Sequence, residues 1–170
     1  VSHTNPELLE AQARKIPLIE RAELLGLITH RYGNTVGVAG THGKTTTTSM
    51  ISQILVMGGQ DPTLFIGGKL PLIDANGRAG SSDTMICEAC EFRDHFLELY
   101  PAVSLILNVD ADHLDYFGSL DNIIRSFHRF AEKAAKTILV NADDPNSMKA
   151  VEGITDKEII TFGTGEACTW

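Results

Sequence analysis

No apolar run in the sequence approaches the roughly 20 residues that span a bilayer. The longest stretches are strand-sized, such as VSLIL at 103–107. The N-terminus, VSHTNPELLE, has neither a basic start nor an apolar core, so no secretory leader is readable. It also lacks an initiator Met, and the chain reads as part of a longer product. Basic residues are scarce: 14 Lys and Arg against 22 Asp and Glu leave a net charge of −8. Such a surface repels phosphodiester backbones and no basic patch offsets it, so a nucleic-acid partner is not expected. Lys133 and Lys136 sit among alanines and read as one solvated helix face. Cysteine is scarce too. Cys87, Cys90 and Cys168 are an odd number without a leader, which fits a reducing cytoplasm rather than a disulfide framework. Cys87 and Cys90 form a C-x-x-C, the spacing of a redox pair or half a zinc site. No second pair or His cluster accompanies it, and both read as small buried residues. Internal repeats and low-complexity tracts are missing, and nothing sets an oligomeric state.

What is present alternates between two periods. Hydrophobic content of 43% in 170 residues is enough for one proper core. Residues 6–14 have helical spacing behind Asn5 as N-cap, and RAELLGLITHRY is helical again, closed by Gly33 and Asn34. TVGVAG (35–40) reads as a buried strand, and 44–57 as an amphipathic helix ending at Gly58-Gly59. PTLFIG (62–67) is a second strand, followed by a loop rich in Gly and Pro. TMICEA (84–89), VSLILNV (103–109), TILVNA (137–142) and EIITF (158–162) are further strands. Ser119 caps a helix over about 120–135, and Pro145 opens a short one. Apolar strands alternating with helices predict an α/β fold, a mostly parallel sheet flanked by helices, of the phosphate-loop nucleotide-binding type. No helix follows the last strand, so the sheet reads as incomplete at Trp170.

The stretch GVAGTHGKTTTT, 37–48, carries the chemistry. The full pattern G-x-x-x-x-G-K-[ST] requires Gly at 38, where Val38 stands, so only G-x-x-G-K-T is met. Its place between a strand and a helix is the context a phosphate loop needs. Gly40, Thr41, His42 and Gly43 would turn backbone N–H groups inward as an anion nest, at the positive end of the following helix. Lys44 would reach the β and γ phosphates, and the Thr45 hydroxyl would hold Mg²⁺. Thr46 is a further candidate contact, whereas Thr47 and Thr48 read as helix filler. His42 is either a phosphate contact or a structural loop residue. Glu88 ends one strand, and Asp112 and His113 lie just beyond another. In open α/β sheets ligands gather outside the carboxyl ends of the strands, so these groups converge on the loop. Glu88 suits Mg²⁺; the imidazole of His113 is softer and would also let Mn²⁺ substitute. His30, His95 and His128 read as structural, without partners.

GTHGKT, EACE at 88–91, NVDADHLDYF at 108–117 and NADDP at 141–145 occur in the order and spacing of one family. The chain resembles the Mur ligases, the ATP-dependent amide-forming enzymes of peptidoglycan synthesis, which use the shorter loop. The resemblance implies that Lys44 binds ATP phosphates and Thr45 a first Mg²⁺. It implies that Glu88 and His113 hold a second Mg²⁺ between γ-phosphate and substrate carboxylate, while Asn108 and Asp112 match motif positions without an assigned contact. His42 is similar to the branch that joins L-alanine to UDP-N-acetylmuramate through an acyl phosphate. The branch that attaches recycled murein tripeptide shares GTHGKTTTT, but the compact EACEFRDHFLELYP favours the L-alanine branch.

Two departures stand out. Cys90 replaces the acidic residue of the more usual EAD, so no metal role is expected there. Phe127, fourteen residues after His113, occupies the place of a carbamylated lysine in several sister ligases. The family has three domains, and the resemblance implies residues 1–22 as the tail of a UDP-binding domain, 23–170 as the central ATP-binding domain, and no third domain here. A kinase or GTPase of the usual loop type would need a longer loop, a Walker-B aspartate and, for guanine, N-K-x-D. A non-catalytic nucleotide-binding module is the remaining alternative.

Overall fold

The computed structural model describes residue 2, residues 4–166 and residues 168–170. Among them, seven strands form one sheet: β1 (Asn34–Ala39), β2 (Thr63–Leu70), β3 (Ala75–Arg78), β4 (Thr84–Glu88), β5 (Val103–Ile106), β6 (Thr137–Asn141) and β7 (Glu158–Phe162). Their order is β3-β2-β4-β1-β5-β6-β7, and every pair is parallel except β2–β3. The α/β expectation holds, and six strands fall where the apolar runs put them.

β3 lies where the sequence pattern predicts a loop. ANGR has no apolar alternation; as an antiparallel edge strand it pairs with β2 through Leu64–Arg78 and Phe65–Gly77. Arg78 is anchored by an ion pair to Asp61, whose Oδ2 also accepts from the Ser81 N–H and hydroxyl. A short polar strand closed by an ion pair leaves no hydrophobic period to detect.

The helices are α1 (Pro6–Ala13), α2 (Arg21–Thr29), α3 (Lys44–Met57), α4 (Leu114–Phe117), α5 (Leu120–Glu132) and α6 (Pro145–Val151), of which α3, α5 and α6 pack on the sheet. Asn5 caps α1 by accepting from the Glu7 and Leu8 N–H groups, and Ser119 caps α5 by accepting from Asn122 N–H. Alternate residues of β4 separate two cores: Met85 and Cys87 join Phe96, Phe127 and Phe130 on one face, and Ile86 joins Leu64, Ile66 and Leu70 on the other. Phe96 stacks on Phe130 at 4.8 Å and meets Phe127 edge-on at 5.2 Å. Phe127 is fully buried, so at this position α5 contributes core packing, worth about 3–5 kcal/mol against alanine.

Three expectations are corrected. α5 ends at Glu132, not near 135, and the two lysines do not share a helix face. Lys133 lies over the Tyr100 ring at 4.9 Å, while Lys136 donates to Gly33 O and Asn34 Oδ1. α3 keeps its expected bounds, but small polar Thr48 and Ser52 are its fully buried residues, while Met50, Ile54 and Met57 are exposed. Ile51, Leu55 and Val56 are only partly buried, against the smaller core. Small side chains bring the helix start close to the sheet, so Thr48 is packing rather than filler.

Candidate active site

β1 ends at Ala39, and the chain turns through Gly40 (φ 149°) and Gly43 (φ 84°) before α3 starts at Lys44. Both glycines occupy backbone conformations that side chains resist, which fixes the turn's shape. The loop is pinned from the segment after β5. Thr41 is buried; its N–H donates to Asn108 O at 3.0 Å, and its hydroxyl accepts from Asp110 N–H at 2.9 Å. The Asn108 amide grips the next residue from both sides, Oδ1 accepting from His42 N–H (2.8 Å) and Nδ2 donating to His42 O (3.0 Å). The His42 ring itself is exposed. Asn108, which had no contact in the sequence reading, is the clamp of the loop apex.

The NADDP motif holds the clamp. Asn141 Nδ2 donates to Leu107 O and Asn146 Nδ2 to Val109 O. Asp144 Oδ2 accepts from Val109 N–H at 2.8 Å while capping α6 through Ser147. Support thus runs from α6 to residues 107–110 to the loop.

Lys44 folds back over its own loop. Its Nζ donates to Gly40 O (2.5 Å), Thr41 O (3.3 Å) and Glu91 Oε1 (3.0 Å), with Glu91 Oε2 at 2.9 Å but off a hydrogen-bonding direction. Glu91 is only 3% exposed. Only the first glutamate of EACE stands out in the sequence as a site residue. The second is the buried partner of the lysine, and its spacing from a strand end gave no period to reveal it.

Thr45 and Thr46 are exposed at the start of α3, and no hydrogen bond engages their hydroxyls among the described residues. Glu88 ends β4, where the β2–β4 ladder stops at Phe65–Cys87, and its Oε1 accepts Gly67 N–H at 2.6 Å. A Cβ on Gly67 would lie 2.5 Å from Glu88 Oε2, and one on Gly68 would lie 3.1 Å from Thr45 Cγ2. Successive glycines of β2 thus leave room for Glu88 on one side and Thr45 on the other. Farther along, the Phe92 ring lies 4.8 Å from the His113 ring. Residues 88–92 thus reach Glu88's site, Lys44 and His113 in turn.

His113 caps α4 with φ 51°, an uncommon value for a non-glycine residue. Its N–H donates to Asp112 Oδ1 at 2.7 Å, and its Nδ1 lies 3.8 Å from the same oxygen. Among the described residues no three His, Cys, Asp or Glu side chains converge as a metal cage. The free Thr45 hydroxyl and the Glu88 carboxylate are each a hard oxygen donor of the kind Mg²⁺ takes, with phosphate oxygens and water to complete a shell.

The cysteines divide. Cys87 is buried, and burial, then the neighbouring Glu88 charge, pushes its thiol from 9.0 up to about 12. Cys90 is exposed, correcting the expectation that both are buried, and both thiols are free. An inward and an outward residue cannot serve as one redox or metal pair. His128 is not without a partner: its Nδ1 lies 3.0 Å from Ala150 O, linking α5 to α6. His30 packs edge-on against Tyr100 at 4.6 Å.

A parallel sheet with a glycine loop, a lysine and a carboxylate at its carboxyl edge defines an α/β domain of the phosphate-loop class. Residues 38–170 match the Mur ligase middle domain, and the chain belongs to that family. It is 48% identical over 168 residues to a UDP-N-acetylmuramate–L-alanine ligase of Caldanaerobacter subterraneus subsp. tengcongensis, covering 98% of this chain and 36% of that protein. The UDP-N-acetylmuramate–alanine ligase structure from Thermotoga maritima superposes with a TM-score of 0.84 at 26% identity, covering 98% of this chain and 37% of that one. A UDP-N-acetylmuramate:L-alanyl-γ-D-glutamyl-meso-diaminopimelate ligase from Neisseria meningitides gives 0.84 at 25% identity, covering 96% and 56%. The chain spans about a third of the length of the L-alanine ligase relative.

Proposed function

We propose that this chain is the ATP-binding part of a ligase that joins L-alanine to UDP-N-acetylmuramate. The observation that carries the reading is the GTHGKT loop, held open by Asn108 at the start of α3 with Lys44 at its mouth. Backbone N–H groups and the helix end receive phosphate oxygens, and Lys44 neutralises the β and γ phosphates. Thr45 would hold one Mg²⁺, and Glu88 with His113 would hold a second, or Mn²⁺ in its place. When bound, such an ion would supply Lewis-acid neutralisation of anionic oxygens. The muramyl carboxylate oxygen attacks the γ-phosphorus, the β–γ P–O bond breaks, and ADP leaves. The alanine amine then attacks the acyl carbon, phosphate departs with the bonding pair, and the amine loses a proton.

We assign residues 1–22 to the end of a UDP-sugar-binding domain and 23–170 to the ATP-binding domain. Tyr100 N–H donates to Thr29 Oγ1, so the body of α2 goes with the ATP-binding domain, although this boundary crosses the helix near its start at Arg21. The 48% identity to an L-alanine ligase favours that branch over the murein peptide ligases, whose fold is equally close. A cytoplasmic setting fits ATP and free cysteines; no helix among the described residues is long and apolar enough to cross a membrane.

The test is ADP release by the whole protein that carries this chain, given UDP-N-acetylmuramate with each amino acid and with murein tripeptide. Turnover with L-alanine alone is expected. Turnover with tripeptide moves the assignment to the recycling branch, and none at all leaves a nucleotide-binding module. Residues 1–170 alone should bind an ATP analogue only in about the high micromolar range and form no amide. Positioning by the remaining two-thirds of the protein is worth roughly 7–11 kcal/mol.

A further inference from the structure

Lys44 has three N–H donors, and the structure gives each a place: Gly40 O, Thr41 O and the Glu91 carboxylate. None is left for a phosphate, so nucleotide binding must displace something. The three partners are not equal. The two carbonyls are neutral, and each loses only an ordinary hydrogen bond if the lysine turns away. Glu91 is 3% exposed, and Lys44 is its side chain's one hydrogen-bond partner among the described residues. A buried carboxylate stripped of its cation costs several times more.

We propose that Glu91 is a positioning residue, a buried tether that keeps the Lys44 ammonium at the mouth of the loop. On nucleotide binding the lysine gives up the carbonyls for phosphate oxygens and keeps Glu91. The tether rests on the nucleotide reading above. It also limits where the ammonium travels: Nζ pivots about the Glu91 oxygens instead of sweeping the rotamers of a free lysine, so less side-chain entropy is lost when phosphate arrives.

The experiment uses the whole protein that carries this chain, as wild type, Lys44→Met, Glu91→Gln and the double variant. Thermal unfolding without nucleotide comes first. Lys44→Met leaves Glu91 buried and unpaired and should lower Tm by roughly 6 °C or more, and adding Glu91→Gln should restore at least half of that loss. A Lys44→Met protein that unfolds at the wild-type temperature overturns the tether, as does a double variant that sums both single losses. Calorimetry with Mg²⁺ and a non-hydrolysable ATP analogue follows. Glu91→Gln should weaken the analogue about tenfold, and the double variant should bind no more weakly than Lys44→Met. A merely structural Glu91 would weaken binding equally with or without Lys44. Wild-type binding that Glu91→Gln leaves unchanged or tightens overturns the tether alone. No binding by the wild type overturns the nucleotide reading and the tether with it.

Discussion

Residues 107–110 and residues 111–113 are consecutive, lie at the same edge of the sheet, and are held in opposite ways. The first group is tied to three other parts of the chain: Leu107 to β1, Asn108 and Asp110 to the glycine loop, and Val109 to Asp144 and Asn146. Among the described residues the second group bonds only within its own turn and the start of α4: Ala111 N–H to Asp110 Oδ1, Asp112 N–H to Asp110 O, His113 N–H to Asp112 Oδ1, and His113 O accepting from the Tyr116 and Phe117 N–H groups. Val109 is buried at 1% exposure, while Ala111 and Asp112 are exposed. The part of the site that shapes the anion nest is thus preorganised by the fold. The part proposed to face an ion is held by local turns alone, with His113 at φ 51°.

This contrast can be broken most severely on the ion side. Glu88→Gln and His113→Ala should each lower turnover of the whole protein on the order of 10²-fold while leaving thermal stability nearly unchanged. Because the two are proposed to share one ion, Mg²⁺ activation curves of the single and double variants should be non-additive. Fully additive losses would separate their roles.

On the pinned side the expected effect is smaller but of another kind. Asn108→Ala removes both bonds to His42 and should cost about 1–3 kcal/mol of stability, a Tm shift of roughly 3–10 °C, together with nucleotide affinity. Asp112→Ala, next to the ion segment, should move Tm by less than about 2 °C. Equal shifts for the two variants would show that the segment is held as one piece.

The smallest effect lies outside both groups and sharpens the contrast between buried and exposed chemistry. Cys87 has its folded pKa raised from 9.0 to about 12. The folded chain keeps this proton in the window where the unfolded chain releases it. Its contribution is therefore full below pH 9 and is lost as pH rises towards 12. The stability difference between wild type and Cys87→Ala should be flat below pH 9 and shrink above it. Iodoacetamide at pH 8 should label Cys90 in the native protein and Cys87 only after unfolding. Labelling of Cys87 in the native state would mean that the β4 face is open.

Much of the architecture is determined by local pattern. Apolar runs such as TMIC and VSLI locate strands because a sheet buried on both faces needs continuous apolar residues, and glycines 40 and 43 mark a turn only they adopt readily. The motif order GTHGKT, EACE, NVDADH, NADDP likewise points to the family directly. What only the tertiary structure decided is which residues meet across distance in the chain. Asn108 to His42, Asp144 to Val109, Glu91 to Lys44 and Gly67 to Glu88 are contacts between strand ends, set by the strand order β2-β4-β1-β5-β6. No period or propensity encodes them, because a side chain's partner at a sheet edge depends on which strand lies beside it. The same holds for burial at helix surfaces: Thr48 and Ser52 face inward on α3 because the sheet approaches there, against what their polarity alone would predict.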